Sequence, residues 1–170
     1  MEKESDQKKI MREKCLRAYI KKMSPDADGT DTSKINPNHL LVFAFRHKDM
    51  QNFESALERG ADPNVRCSIH FGAPTPLAAH FVPGSMVYST NFYDFFKSAF
   101  EKLLEHGLDL DRQMFSESDI VLKTMTSTAS KSQTLREVIL HFAERSSKSR
   151  SDFAANKREY CKWLLEKLSV

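Results

Sequence analysis

Apolar residues recur at helical spacing in several stretches of the chain, and short polar runs separate these stretches. The first stretch, residues 6–23, has an apolar residue at every fourth position: Met11, Cys15, Tyr19 and Met23. Comparable apolar faces lie within residues 40–47, 49–59, 95–104, 133–144 and 152–168. This spacing predicts amphipathic helices, the last of them capped by Ser151 or Asp152 and ending at Leu168. No segment convincingly predicts a strand, and residues 24–38, rich in Pro, Gly and Asp, predict a loop.

Two of the predicted helices end in the same way. Residues 57–64 read L-E-R-G-A-D-P-N and residues 104–111 read L-E-H-G-L-D-L-D, with Gly60 and Gly107 standing 47 positions apart. A glycine directly after a helix takes a left-handed conformation at little cost, so both glycines predict helix ends. The repetition of the whole ending predicts a repeated architecture.

On these residues the sequence resembles the ankyrin repeat family. G-A-D-P-N at 60–64 matches the repeat's closing motif, and T-P-L-A-A at 75–79 is similar to the opening T-P-L-H-x-A, with Ala78 where the usual His stands. H-L-L-V-F-A at 39–44 fits the same opening more loosely. Relative to the family period of about 33 residues, the extra residues fit a hairpin loop at 67–73 and an insertion at 82–93. The resemblance gives structural roles to Gly60, Asp62, Asn64, Thr75, Pro76, Leu77 and Gly107, with Thr75 and Pro76 starting a helix.

The resemblance implies an all-α, ankyrin-repeat-like solenoid of helix-turn-helix units with helical caps. One unit cannot bury its own apolar face, so units stack and the terminal helices cover the ends. The expected boundaries are 1–38 for an N-terminal capping helix and loop, 39–72 for repeat 1, 73–113 for repeat 2 with its insertion, 114–146 for a degenerate repeat 3, and 147–170 for a C-terminal capping helix. In repeat 3, residues 119–127 would be the first helix and residues 133–144 the second.

The family usually binds through hairpin tips and the first helices on its concave side. The insertion adds Met, Tyr and Phe without a charge before Asp94, a composition typical of interfaces. The expected partner-binding residues are therefore Arg46, Arg66, Ile69, Phe71, His80, Phe81, Met86, Tyr88, Phe92, Arg112 and Phe115. The alternative is that these loop aromatics pack locally and that the insertion covers a groove.

Composition bounds the class of protein further. Hydrophobic residues make up 40% of the chain, enough for a core, and the net charge of +3 is too small to imply a nucleic-acid partner. Cys15, Cys67 and Cys161 are far apart without a CxxC spacing, which favours free thiols in a reducing compartment. The first residues lack the apolar run of a signal peptide, and no apolar run is long enough to span a membrane. These features predict a cytoplasmic monomer.

Motifs for catalysis or metal binding are weak. Cys67 and His70 have a ligand-like spacing, with His80 ten residues later, but no second Cys/His pair completes a zinc set. The chain has no GxGxxG, Walker or HExxH motif. We therefore expect no metal site, no cofactor, no catalytic residue and no enzymatic activity.

The sequence thus predicts a non-catalytic module that binds another protein. Three alternatives stay open. The first is a secreted bacterial effector that binds and redirects a host protein in the host cytoplasm, since the chain is similar to small ankyrin proteins of this kind. The second is a membrane-surface adaptor acting through helix 6–23, which carries seven basic residues and Glu13. The third is an enzyme with its site in the divergent C-terminal half.

Overall fold

The computed structural model describes residues 6–23, 32–67, 75–81, 90–112, 134–148 and 155–169. These residues are mostly helical and include one small antiparallel sheet of two strands. The chain divides into two compact units, an N-terminal unit Met1–Ala61 and a C-terminal unit Asp62–Val170. Among the helices in the described ranges, none combines the length and the apolar character needed to cross a membrane.

The N-terminal unit contains three α-helices and a short 3₁₀ helix. Helix α1 is Asp6–Met23, the 3₁₀ helix is Thr32–Lys34, α2 is Pro37–His47 and α3 is Met50–Glu58. Helix α1 spans the predicted range, but its predicted apolar stripe is not one buried face. Ile20 is fully buried, whereas Met11 is 64% exposed and Ile10 is 51% exposed. Close packing of α1 is therefore concentrated near its C-terminal end.

Helices α2 and α3 pack against each other and are joined by the two residues Lys48 and Asp49. Lys48 ends α2 in the left-handed conformation with φ 56°. Asp49 then caps α3, because its buried carboxylate accepts hydrogen bonds from the backbone N–H and the side-chain amide of Asn52, at 3.2 and 2.8 Å. The helix pair buries the core of this unit: Leu40, Leu41, Phe43, Ala44, Phe45, Phe53, Ala56 and Leu57.

A short hairpin opens the C-terminal unit. Strand β1, Arg66–Cys67, pairs antiparallel with β2, Thr75–Pro76, and a 3₁₀ helix Leu77–Phe81 follows at once. The sequence predicts that Thr75 and Pro76 start a helix, and this is wrong: both belong to β2, and the helix that follows is 3₁₀. The backbone N–H of Leu77 donates to the carbonyl of Val65 at 2.8 Å, so the hairpin holds the chain extended up to that residue.

Three α-helices complete the C-terminal unit: α4 Thr90–Glu105, α5 Leu135–Ser147 and α6 Ala155–Leu168. The predicted insertion 82–93 is shorter than expected, because residues 90–93 form the first turn of α4 and Tyr93 is buried. Residues 82–89 lie outside the described residues, as do the predicted helix 119–127 and the predicted caps Ser151 and Asp152. The predicted end of the last helix at Leu168 is confirmed.

An aromatic core connects the elements of the C-terminal unit. Its members contact one another ring to ring: Phe81, Tyr93, Phe96, Phe100, Tyr160 and Trp163. The hydroxyl of Tyr160, at the centre of this core, donates a hydrogen bond to the carbonyl of Phe81 at 3.0 Å. Burial raises the pKa of Tyr160 well above its usual value, so this hydroxyl stays a donor.

The two repeated helix endings have the same backbone geometry. Gly60 and Gly107 have φ of 84° and 90°, which confirms the predicted left-handed glycines. In each turn the residue after the glycine donates its N–H to the carbonyl five positions earlier, from Ala61 and from Leu108, both at 2.9 Å. Each ending therefore closes its helix with the same hydrogen bond.

The aspartates two residues after these glycines also repeat their role. Asp62 accepts the N–H of Asn64 at 2.8 Å, and Asp109 accepts the N–H of Asp111 at 3.0 Å. Asn64 then links the two turns. Its amide nitrogen donates to the carbonyl of Gly107 at 3.2 Å, and its oxygen accepts the N–H of Asp109 at 2.7 Å.

The next hydrogen bonds show which helices follow these turns in equivalent positions. The carbonyl five residues after each glycine accepts the N–H of a leucine that begins a helix: Val65 from Leu77 at 2.8 Å, and Arg112 from Leu135 at 3.0 Å. Helix α5 therefore corresponds to the 3₁₀ helix Leu77–Phe81. The sequence predicts residues 133–144 as the second helix of a degenerate repeat, and that assignment stays a prediction.

Candidate functional site

A groove with a volume of about 370 Å³ lies between α1 and α2 in the N-terminal unit. Helix α1 lines it with Cys15, Ala18, Tyr19 and Lys22, and α2 lines it with Val42, Phe43, Arg46 and His47. On each helix the lining residues form two adjacent rows at spacings of three and four residues, so each set occupies one helical face. We call this site the α1–α2 groove.

Three rings form a continuous stack along the groove. The ring centroids of Tyr19 and Phe43 are 4.9 Å apart, and those of Phe43 and His47 are 4.2 Å apart, with interplanar angles of 30° and 29°. Phe43 is buried, whereas Tyr19 and His47 are half-buried. The stack therefore forms an apolar wall of the groove whose two outer rings, Tyr19 and His47, are partly exposed.

Positive charge surrounds this apolar surface. Lys22 and Arg46 are exposed at the groove, and among the described residues that line it none is acidic. Burial raises the pKa of Tyr19, and the positive charge of Arg46 opposes this rise. The groove thus combines an aromatic surface with cations at its edge, a combination suited to anionic groups attached to an apolar body.

Lys48, directly after the groove residue His47, is engaged elsewhere. Its Nζ donates to the carbonyl of Phe45 at 2.9 Å and lies 4.4 Å from the centroid of the Phe45 ring. Burial lowers the pKa of Lys48 to about 8. Lys48 therefore stabilises the end of α2 through carbonyl and ring contacts.

The described polar members of the predicted binding surface lie in different surroundings. Arg46 is exposed in the α1–α2 groove, Arg112 is exposed after α4, and Arg66 is half-buried in β1. His80 is half-buried, and its Nε2 is hydrogen-bonded to the Thr75 hydroxyl at 2.8 Å. The ring of His80 therefore holds the last turn of the 3₁₀ helix to β2.

Among the aromatic residues of the predicted binding surface, the structure describes Phe81 and Phe92. Phe81 is fully buried against Phe96 and Phe100, which removes it from the accessible surface that the sequence predicts. Its position at the end of the 3₁₀ helix points it into the core. Phe92 is half-buried in the first turn of α4. The remaining predicted contacts lie outside the described residues: Ile69, Phe71, Met86, Tyr88 and Phe115.

The possible metal ligands of the sequence do not form a cluster in the part of the chain that the structure describes. There, no three His, Cys, Asp or Glu side chains are grouped as a metal ion would require. Cys67 is buried in β1, and His70 lies outside the described residues.

Sequence reasoning included Arg46 in the surface but missed the groove itself. The sequence places Tyr19 and Cys15 in an apolar stripe that packs, and it gives Phe43 no binding role. The available signal was the placement of Cys15, Tyr19 and Lys22 on one face of α1. That signal becomes informative only once α2 is known to lie opposite this face of α1. The sequence does not predict this packing, because a loop separates the two helices.

Comparison of the chain with protein-family models, with curated proteins and with solved structures found no match. Two features of the chain itself bear on function. One is the α1–α2 groove, with its stacked rings and exposed cations. The other is the repeated turn geometry after α3 and α4.

Proposed function

We propose that the chain is an ankyrin-like repeat protein that binds a protein partner and catalyses no reaction. The observation that carries this proposal is the set of turn hydrogen bonds that the chain shares after Gly60 and after Gly107. These bonds recur together with the sequence form L-E-[basic]-G-x-D-x-[N/D], so sequence and geometry repeat in the same register. Repeats of this kind are built to present an extended surface to a partner.

The hydrogen bonds support a revised order of repeats in this proposal. The first repeat is α2 with α3, the second is the 3₁₀ helix Leu77–Phe81 with α4, and the third is α5 with α6. Packing of α5 on α6, like that of α2 on α3, supports the third pair. In this order α6 is the second helix of a repeat, in place of the predicted C-terminal cap 147–170, and α1 is the N-terminal cap.

The hairpin supports a binding role for the C-terminal unit. Strands β1 and β2 connect the turn after Gly60 to the next helix, which is where ankyrin-like repeats carry their contact residues. Arg66 lies in this hairpin and Arg112 follows the equivalent turn after Gly107. Two arginines beside equivalent turns favour a partner with an acidic surface, because rim charges steer association.

Affinity capture with charge-reversed variants tests this function. The intact chain and the double variant Arg66→Glu/Arg112→Glu are immobilised and exposed to cell lysate at low and high salt. We expect a specific protein that the intact chain retains and the double variant loses. The control, Arg145→Glu together with Lys162→Glu, changes the net charge equally at exposed positions of α5 and α6, and circular dichroism verifies that each variant is folded.

The outcomes separate the alternatives. Equal retention by the double variant and the control would remove the hairpin and turn arginines from the binding surface. No specific protein retained by the folded intact chain at any salt concentration would contradict the proposed function itself.

A further inference from the structure

We propose that the α1–α2 groove binds an acidic peptide segment of a protein partner. An aromatic or aliphatic side chain of the segment packs on the stack of Tyr19, Phe43 and His47, and its carboxylates lie beside Lys22 and Arg46. This inference rests on the proposed function in one respect, that the partner is a protein. It names the chemistry of the partner and the site that receives it.

The size and surface of the groove fit a short peptide. Its volume of about 370 Å³ lies within the range of about 300–1,000 Å³ typical of ligand sites, which is room for one or two side chains. The partly exposed outer rings of the stack accept a further ring or a branched aliphatic group by offset contact. Tyr19 and His47 are half-buried, so the incoming side chain covers the part of each ring that the fold leaves exposed.

The charges around the groove select acidic neighbours for that side chain. Lys22 on α1 and Arg46 on α2 both line the groove that contains the stack, so each helix supplies one cation. The exposed surface of α1 extends this positive field with Lys14, Arg17 and Lys21. A guanidinium binds a carboxylate through two parallel hydrogen bonds, which gives Arg46 a directional role beside the point charge of Lys22.

The shape of the site favours a peptide over a membrane surface. An interfacial helix needs one outward apolar stripe along its length. In α1 the apolar residues divide: Ile10 and Met11 are exposed near the start, whereas Ile20 is buried and Tyr19 lines the groove. A concave site enclosed by two helices admits a peptide side chain, and a flat bilayer does not enter it.

The experiment measures fluorescence anisotropy of labelled peptides with the full chain. The probe is the peptide Glu-Glu-Phe-Glu-Glu. Two control peptides, Gln-Gln-Phe-Gln-Gln and Glu-Glu-Ala-Glu-Glu, remove the charge and the ring in turn. We expect the probe to bind about tenfold more tightly than either control, because the charged rim and the apolar surface contribute separately. Binding weakens between about 50 mM and about 500 mM NaCl, as salt screens the rim.

Two neighbouring lysines provide the matched variants. Lys22 lines the groove and Lys21 does not, although both are exposed in the last turn of α1. Lys22→Glu and Lys21→Glu therefore change the net charge and the helix end equally. We expect Lys22→Glu to weaken probe binding by about tenfold and Lys21→Glu by less than about twofold. Arg46→Gln should weaken it comparably to Lys22→Glu.

Three outcomes would overturn the proposal. The probe could fail to bind, the ring-deleted peptide could bind equally well, or Lys21→Glu and Lys22→Glu could weaken binding equally. Vesicles of phosphatidylcholine and phosphatidylserine form a further arm. Tight vesicle binding that both lysine variants reduce equally, without peptide binding, would assign the basic surface to membranes. None of these outcomes contradicts the proposed function, because affinity capture on the intact chain tests that function without these peptides and without a change at Lys22.

Discussion

A substitution at Gly107 changes the free energy of unfolding through backbone conformation and not through packing. Its φ is 90°, and a methyl group added at this position would meet no atom within 4 Å. A side chain there is therefore strained by its own backbone and by nothing else. Gly60, with φ of 84° and the same open surroundings, gives an independent second measurement of this cost.

We expect Gly107→Ala and Gly60→Ala each to lower the free energy of unfolding by about 1 kcal/mol, because a Cβ disfavours the left-handed region. Gly107→Asn should lose less, since Asn adopts this conformation more readily. Urea unfolding followed by circular dichroism measures all three variants. Unchanged stability in both alanine variants would show that neither turn needs its positive φ.

Lys48 predicts a pH dependence at the end of α2. Burial lowers its pKa in the folded chain to about 8, from 10.5 in the unfolded chain. Between pH 8 and 10.5 the unfolded chain therefore binds more protons, and the free energy of unfolding rises with pH. Below pH 8 both states are protonated and the folded chain carries the full cost of the buried charge.

Lys48→Met should abolish this rise. The quantity to measure is the difference in unfolding free energy between wild type and variant across this pH range, in which titrations common to both proteins cancel. Lys21→Met, at an exposed lysine, controls for the loss of one charge. If the wild type and Lys48→Met run parallel from pH 8 to 10.5, the buried lysine is not the source of the dependence.

At the scale of elements, Arg59 joins the end of α3 to the 3₁₀ helix Thr32–Lys34. Its guanidinium donates to the carbonyls of Thr32 and Ser33, both at 2.8 Å, and of Ile35 at 2.7 Å. A planar group with several donors can satisfy three carbonyls at once. Arg59 therefore fixes the segment that leads into α2.

We expect Arg59→Lys to destabilise the N-terminal unit by about 2 kcal/mol, because an ammonium group cannot replace this set of charged hydrogen bonds. Hydrogen exchange should show faster opening at residues 32–36 than in the wild type. Glu58→Gln, at the preceding exposed position, is the control. Equal exchange in wild type and Arg59→Lys would show that the bonds contribute nothing to this segment.

Helix ends were predictable from the sequence where the signal is local. The glycine after α3 and α4 and the bounds of α1 follow from neighbouring residues. The start of the 3₁₀ helix at Leu77 was not predictable, because the hydrogen bond to Val65 across the hairpin sets it. The role of Arg59 was hidden for the same reason: its acceptors are backbone carbonyls 24 to 27 positions away.

At the scale of the whole molecule, Tyr160 connects distant parts of the C-terminal unit. Its ring contacts Tyr93 and Phe96 of α4, and its hydroxyl donates to the carbonyl of Phe81, 79 residues earlier. Trp163, one turn further along α6, stacks on the same ring and contacts Phe100. Helix α6 is thereby part of the core of this unit.

Tyr160→Phe should lower the stability of the C-terminal unit by about 1–3 kcal/mol, because the Phe81 carbonyl loses its buried donor while the ring contacts remain. The single tryptophan, Trp163, reports this transition by fluorescence. Tyr93→Phe, which keeps its ring in the same core, is the matched comparison. Unchanged stability of Tyr160→Phe would show that the hydrogen bond to Phe81 is dispensable.

The mostly helical class was predictable, because apolar spacing reports each helix separately. The correspondence of α5 with the 3₁₀ helix was not predictable, since it depends on the hydrogen bond between Leu135 and Arg112, which are far apart in the sequence. The α1–α2 groove was equally hidden. Arg46 could be named from the family resemblance, but Tyr19 and His47 are brought together by their common contact with Phe43.

The three thiols differ in their access to reagents. Cys67 and Cys161 are buried, whereas Cys15 is half-exposed in the wall of the α1–α2 groove. A mild alkylating reagent should therefore label the native chain first at Cys15. The rate of labelling at Cys15 therefore reports whether the groove is occupied, because any ligand that covers this wall slows the reaction. Mass spectrometry of the peptide that contains Cys15 measures that rate.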